Sequence, residues 1–284
     1  MADFPFAALQ RLQALRPGLP PTAARIADVV LRLPAEVIHM SVTEVAERAG
    51  ASEGSVVALC RQLGARGFQH LKIELARSLV RPEQAIHEDL EPRDDAGTVI
   101  RKVFAAGTQA LQETLAVLDA AALERAVATF RKARRIEIYG IGSAAPVAED
   151  AYIRLLRVGL DCRLVVDSHV QAISATQAGP GVVTLTISHS GSSMETVTAT
   201  KLAREAGATT VVITNVGRNP LQAHADIVLH TAARETRFRT EAMTSRIAQL
   251  AVVDALVSCL ALEGGEASLS ALRLTSEALS LKRY

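Results

Sequence analysis

Tryptophan is absent and aromatic residues make up only 3% of the chain, so any core must be built from Ala, Val, Leu and Ile. Cysteine is almost as scarce. Cys60, Cys162 and Cys259 are odd in number and far apart, which excludes a disulfide framework and a cysteine metal centre. They read as buried thiols of a reducing compartment. Charge of one sign is missing too: the net charge of +1 does not advertise nucleic-acid binding by the chain as a whole. The opening residues MADFPFAALQRLQ lack the basic start and apolar run of a signal peptide. The longest apolar stretch, Ile247 to Leu262, is too short to span a bilayer and contains Asp254. The expectation is a cytoplasmic protein with no membrane partner.

What is present is ample material for two globular domains: 284 residues, 49% hydrophobic and 21% charged. Charge is distributed unevenly. Residues 1–81 carry ten Lys/Arg against seven Asp/Glu, whereas residues 82–97 carry six acids against Arg93 alone. That second stretch holds Pro82 and Pro92 and has no apolar periodicity, which suits a linker. Residues 1–80 are read as an all-helical domain, 81–97 as the linker and 98–284 as an α/β domain with flanking helices.

Beyond the linker, helices are expected at Thr98–Leu118 and Ala120–Lys132, the second capped by Asp119. From Arg135 short β-branched runs alternate with amphipathic helices. The runs are IEIYG, CRLVV, VVTLTIS, TTVVIT and DIVLH; helices fall at Pro146–Val158, from about Val170, at Glu195–Ala206 and at Thr240–Leu262. Such alternation implies βαβ units and a mainly parallel sheet covered on both faces. The tail from Gly264 looks helical.

In the first domain Val42, Val45, Ala46 and Ala49 share one helical face, Gly50 can end that helix, and Ser52 can cap the next. Val56, Leu59, Cys60 and Leu63 repeat the apolar spacing; Gly54, Ser55, Ala58, Arg61 and Gln62 lie opposite. This is a helix-turn-helix pattern whose second helix has a small, polar, basic outer face. Small residues let a helix sit deep in a major groove, and Arg and Gln hydrogen-bond base edges or phosphates. The DNA-contact candidates are Ser52, Ser55, Arg61 and Gln62, with Arg66, Gln69 and Lys72 beyond them for the backbone. A Gly-broken helix pair with a solvated face is the plainer alternative.

The stretch TISHSGSSMET, residues 186–196, sits between a buried strand and a helix, where open α/β sheets bind ligands. Ser188, Ser190, Ser192 and Ser193 offer hydroxyls, Gly191 allows close backbone approach, and the following helix offers free N–H groups. This makes an anion site without Lys or Arg. A second turn, YGIGSAAP (139–146), follows the first strand, but Ala145 leaves the dinucleotide GxGxxG incomplete. An ordinary Ser/Gly strand-to-helix turn is the alternative for either loop. His169 and Gln171 begin a helix near the same strand ends and could contact a bound ligand; a capping or interface role is the alternative.

The stretch running from PPTAARIADVV to HLKIELA, with AGxSxxxVxxxCRxLGxxGF from Ala49 to Phe68, resembles the N-terminal domain of the RpiR family of bacterial regulators. Ala58 stands where that family often has Arg. Roughly Ile136 to Leu262 is similar to the sugar isomerase (SIS) domain, which binds phosphosugars. The resemblance implies that Ser188, Ser190 and Ser193 grip a phosphate, with His189 and Gly191 in the same loop. It also matches GIGSA to the family's GxGxS, with Ala144 in place of the phosphate-contacting Ser and Ser143 beside it. A Glu near position 241 can reach the sugar in that family; Glu241 is also a plain helix-start acid, and Arg234, Arg237 and Arg239 a basic cluster before it. No cofactor and no metal are implied. The reading is a phosphosugar-responsive regulator that binds double-stranded operator DNA and forms a dimer or tetramer through its SIS domains. A phosphosugar isomerase using His169, His189 or Glu241 as base is the rival, and a non-sensing architectural DNA-binder leaves the serine loop unexplained.

Overall fold

The structure, a computed structural model, describes residues 8–79, 93–233 and 244–281. Two compact units emerge, one built mainly from Met1–Ala106, the other from Gly107–Val216, Leu221–Arg234 and Ala242–Tyr284. The division falls inside a long helix, and residues 81–92 of the expected linker lie outside the described residues.

Six helices build the first unit: α1 (Ala8–Leu15), α2 (Pro21–Arg32), α3 (Pro34–Val37), α4 (Val42–Ala49), α5 (Glu53–Gln62) and α6 (Phe68–Leu79). Proline at the first position of α2 costs no hydrogen bond, because that N–H has no helical partner anyway. A capping box starts α4: Ser41 Oγ accepts from the Glu44 amide at 3.2 Å, and Glu44 Oε2 accepts from the Ser41 amide at 2.7 Å. Gly50 ends it at φ 57°, with the Ala51 amide donating to Ala46 O at 2.9 Å, a Schellman closure. The apolar faces read from sequence meet in one cluster, including Ile26, Val30, Val45, Val56, Leu59 and Leu71.

The division crosses α7 (Ala96–Val117), and in the second unit α8 (Ala120–Lys132) leads to a five-stranded sheet of β1 (Arg135–Tyr139), β2 (Cys162–Val165), β3 (Val182–Ile187), β4 (Thr209–Asn215) and β5 (Ile227–Thr231). Asp119 caps α8 as expected, accepting from the amides of Ala121 and Ala122. The order is β2-β1-β3-β4-β5 and every pair is parallel. Crossovers are α9 (Ala145–Arg157), α10 (Ser168–Ala175) and α11 (Met194–Glu205), and α12 (Thr244–Ser280) follows β5. Ile136, Ile138, Leu185, Ile213 and Leu229 pack with α8, α9 and α12 on one face. Tyr139, Val165 and Val182 pack with Ala175, Ala199 and Ala203 on the other. All six residues of β3 are buried, as a central strand covered on both sides requires.

Helix bounds fall close to expectation. The helix placed from about Val170 begins at Ser168, because Asp167 caps it by accepting from the Val170 amide at 2.9 Å. The last helix, expected to end near Leu262 before a helical tail, is two helices joined across a kink at Gly265 (φ 52°), the second reaching Ser280. By length and composition α12 could cross a membrane; its buried side, Val252, Val253, Leu256 and Leu260, packs on the sheet.

Candidate functional site

In the helical unit the α4–α5 turn is held from outside. Arg25 on α2 donates from Nε to Ala49 O and from Nη2 to Gly50 O, both at 2.9 Å. Thr43 Oγ1 donates to Glu53 Oε1 at 2.5 Å, tying the two helices together at the turn. The geometry fixes where α5 points. Its outer side exposes Gly54, Ala58, Arg61 and Gln62, and Arg66 and Gln69 are exposed beyond it. These four long polar side chains make no side-chain hydrogen bond or ion pair with the described residues, whereas Arg16, Arg25 and Arg48 are all engaged.

Three of the DNA-contact candidates have structural duties. Ser52 caps α5, its Oγ accepting from the Ser55 amide at 3.2 Å and lying 2.9 Å from Ser55 Oγ. Lys72 is turned inward: its ammonium donates to Met40 O at 3.0 Å and lies 5.8 Å from the centroid of the Phe68 ring. As placed, Lys72 braces the fold rather than extending the basic face. Cys60 is buried on the apolar side, and burial pushes its thiol up to about 12.

In the α/β unit β1 and β3 are neighbours whose crossovers leave in opposite directions, to β2 and to β4. Their carboxyl ends therefore open a crevice, the switch point where such sheets bind ligands. Tyr139 is in register with Thr186, so the turn after β1 and the serine loop after β3 flank one opening.

The serine loop is rigidly mounted. Ser188 N donates to Ile213 O at 3.0 Å, and His189 O accepts from Asn215 N at 3.1 Å. Gly191, at φ 57°, accepts on its carbonyl from Leu221 N at 3.0 Å. Ser188 Oγ accepts from Gly191 N and Ser190 Oγ from Ser192 N, at 3.2 and 3.3 Å. A hydroxyl that accepts still has its proton to donate. Ser193 stands at the N-cap of α11 yet its side chain makes no capping bond. Thus three serine hydroxyls and the opening turn of a 12-residue helix share one loop that contains no Lys or Arg.

The neighbouring turn after β1 is held by packing. A Cβ on Gly140 would lie 2.8 Å from Ala148 Cβ and 3.0 Å from Ala144 O, so the turn is pressed against α9. Gly142 takes φ 56° and Ser143 is exposed. Ala144 is nearly buried in the apolar cluster below, so that position supplies packing and no donor. On α10, His169 is exposed, but Gln171 is wholly buried with its amide on backbone carbonyls. Gln171 is therefore no sugar contact in this structure. Glu241, with Arg234, Arg237 and Arg239, lies outside the described residues.

Sequence reasoning missed a buried carboxylate beside this site. Glu137 on β1 accepts from Tyr139 Oη and Ser174 Oγ at 2.7 Å each and pairs with Arg135 at 2.8 Å. Burial, and then this carboxylate, drive the Tyr139 hydroxyl well above its usual pKa. The charged residue inside a strand was the available signal. Among the described residues no cluster of three or more His, Cys, Asp or Glu could hold a metal.

Residues 6–82 match the helix-turn-helix domain of the rpiR family and residues 129–259 match the SIS domain. An uncharacterized HTH-type transcriptional regulator of Caldanaerobacter subterraneus is 38% identical, over 93% of each chain. The HTH-type transcriptional regulator HexR of Escherichia coli is 30% identical, over 97% of this chain and 95% of its own. Among solved structures, the Vibrio vulnificus NanR protein complexed with ManNAc-6P superposes with a TM-score of 0.81 at 26% identity, covering 96% of this chain and 97% of that one.

Proposed function

The chain belongs to the RpiR family of helix-turn-helix transcriptional regulators with a SIS domain, and we propose that it binds operator DNA under control of a phosphorylated sugar or sugar acid. One observation carries the sensing half: Ser188, Ser190 and Ser193 lie in the one loop that runs from the end of β3 into the N-terminus of α11, beside the sheet's switch point. The neighbouring NanR structure, solved with ManNAc-6P, supports that ligand class. Ser143, His189, Gly191, His169 and Glu241 make up the rest of the proposed ligand set. Exposed Arg61, Gln62, Arg66 and Gln69, with Ser52 and Ser55 at the start of α5, form the DNA-facing set.

The domain reading places DNA binding in residues 1–80 and sensing in 98–284, working in the cytoplasm. A symmetric dimer or tetramer through the SIS domains would present paired recognition helices to half-sites about 34 Å apart or a multiple of it. The effector shifts DNA affinity only by its differential affinity for the two states.

A thermal-shift screen over phosphosugars, N-acetylmannosamine 6-phosphate included, tests the reading. A ligand at 100 times its Kd adds about 2.7 kcal/mol of stability. The same ligand must alter operator binding in a mobility-shift assay; Ser190→Ala should lose that response and keep DNA binding. Aldose–ketose turnover that disappears in Glu241→Gln would overturn the sensor reading in favour of an isomerase.

A further inference from the structure

The last register pair between β1 and β2 is Tyr139 with Val165. Past it the two strands part, and one side chain bridges the gap. Gln171 Nε2 donates to Val165 O at 2.7 Å and reaches Gly140 O at 3.5 Å, while the whole side chain is 0% exposed. One amide nitrogen thus holds the end of β2 and the first residue of the turn that borders the effector opening. Its two N–H groups serve two carbonyls, which also settles the orientation of the amide. Gln171 Oε1 is buried with no partner, a desolvation cost that apolar packing at this position would avoid.

The helix that carries Gln171 is itself anchored. Ser174, on the next turn of α10, donates to the Glu137 carboxylate, which Tyr139 and Arg135 hold on β1. Opposite, the Gly140 turn is pressed against α9 so closely that no Cβ fits. The turn is clasped between α9 packing and the Gln171 amide. The contact to Gly140 is long, so it constrains the turn while leaving it room to adjust.

We propose that Gln171 is a positioning residue of the effector site: it sets the Gly140 peptide and so aims residues 141–143 at the ligand without touching the ligand. This rests on the reading of the Gly140–Ser143 turn as one wall of a phosphosugar site.

Gln171→Met in the full-length chain keeps the volume and removes both donors. Amide exchange at residues 141–144 is expected to accelerate by about tenfold, with exchange at 188–193 and the melting temperature unchanged. With N-acetylmannosamine 6-phosphate, glucose 6-phosphate and inorganic phosphate as probes, Kd should rise about tenfold for any probe the native chain binds. Thr176→Ala, whose exposed hydroxyl bonds only within the end of α10, should not change Kd. Unchanged exchange at the turn overturns the inference, as does faster exchange throughout the unit with a lower melting temperature. If the native chain binds no probe, the effector reading of the turn fails; the exchange measurement still decides whether Gln171 positions it.

Discussion

Arg25 on α2 closes the turn between α4 and α5, its guanidinium spanning the carbonyl oxygens of Ala49 and Gly50 at 2.9 Å each. These are the carbonyls left over where α4 stops, so a remote cation completes the helix-turn-helix geometry.

Removing that clasp should loosen the DNA-binding unit. Arg25→Ala is expected to cost about 1–3 kcal/mol, the range for a hydrogen bond to a charged group. Arg25→Lys cannot span both carbonyls and should recover only part of it. Chemical denaturation followed by a probe in the N-terminal unit reads both.

On DNA the exposed cations should divide from the braced one. Arg61→Ala and Gln62→Ala should each cost about 1–3 kcal/mol of operator affinity. Arg66→Ala should weaken binding to all sequences and reduce the salt slope by about 1. Lys72→Ala should leave that slope alone and lower stability instead, since its ammonium sits on Met40 O. A smaller salt slope in Lys72→Ala would return that lysine to the DNA surface.

The serine loop offers a separation of stability from binding. Ser188→Ala removes the acceptor of the buried Gly191 amide and should destabilise by about 1–3 kcal/mol. Ser193→Ala removes a hydroxyl that caps nothing, so the melting temperature should hold while ligand affinity falls about tenfold. Calorimetry on both variants checks the pair; equal effects on stability would mean that Ser193 has a structural partner.

Cysteine reactivity should follow burial. Desolvation raises the thiols of Cys60 and Cys162 to about 12 and about 11 from 9.0. At pH 8 iodoacetamide should modify only Cys259 in the folded chain, as mass spectrometry can count. The sign for stability follows: below pH 9 both states keep these protons. As pH rises above 9 the unfolded chain releases them first, and stability is lost toward the raised values.

Local chemistry alone determined a large part of this protein. Apolar spacing at Val42–Ala49 and Val56–Leu63, a left-handed Gly50 and a capping Ser52 define the helix pair, because each acts within a turn or two of its own position. The β-branched runs and the serine loop were legible for the same reason: a buried central strand leaves a continuous apolar run, and Gly191 is needed where φ is positive. What only the tertiary structure decided involves groups distant along the chain. Strand order put the Gly140 turn beside the serine loop, and packing sank Ala144 into the core. Arg25 found the end of α4, Lys72 turned inward to Met40, and Gln171 was buried as a clasp rather than offered to a sugar. A long polar side chain reads the same in sequence whether it faces solvent, DNA or a buried carbonyl, and only the fold supplies the partner that settles which.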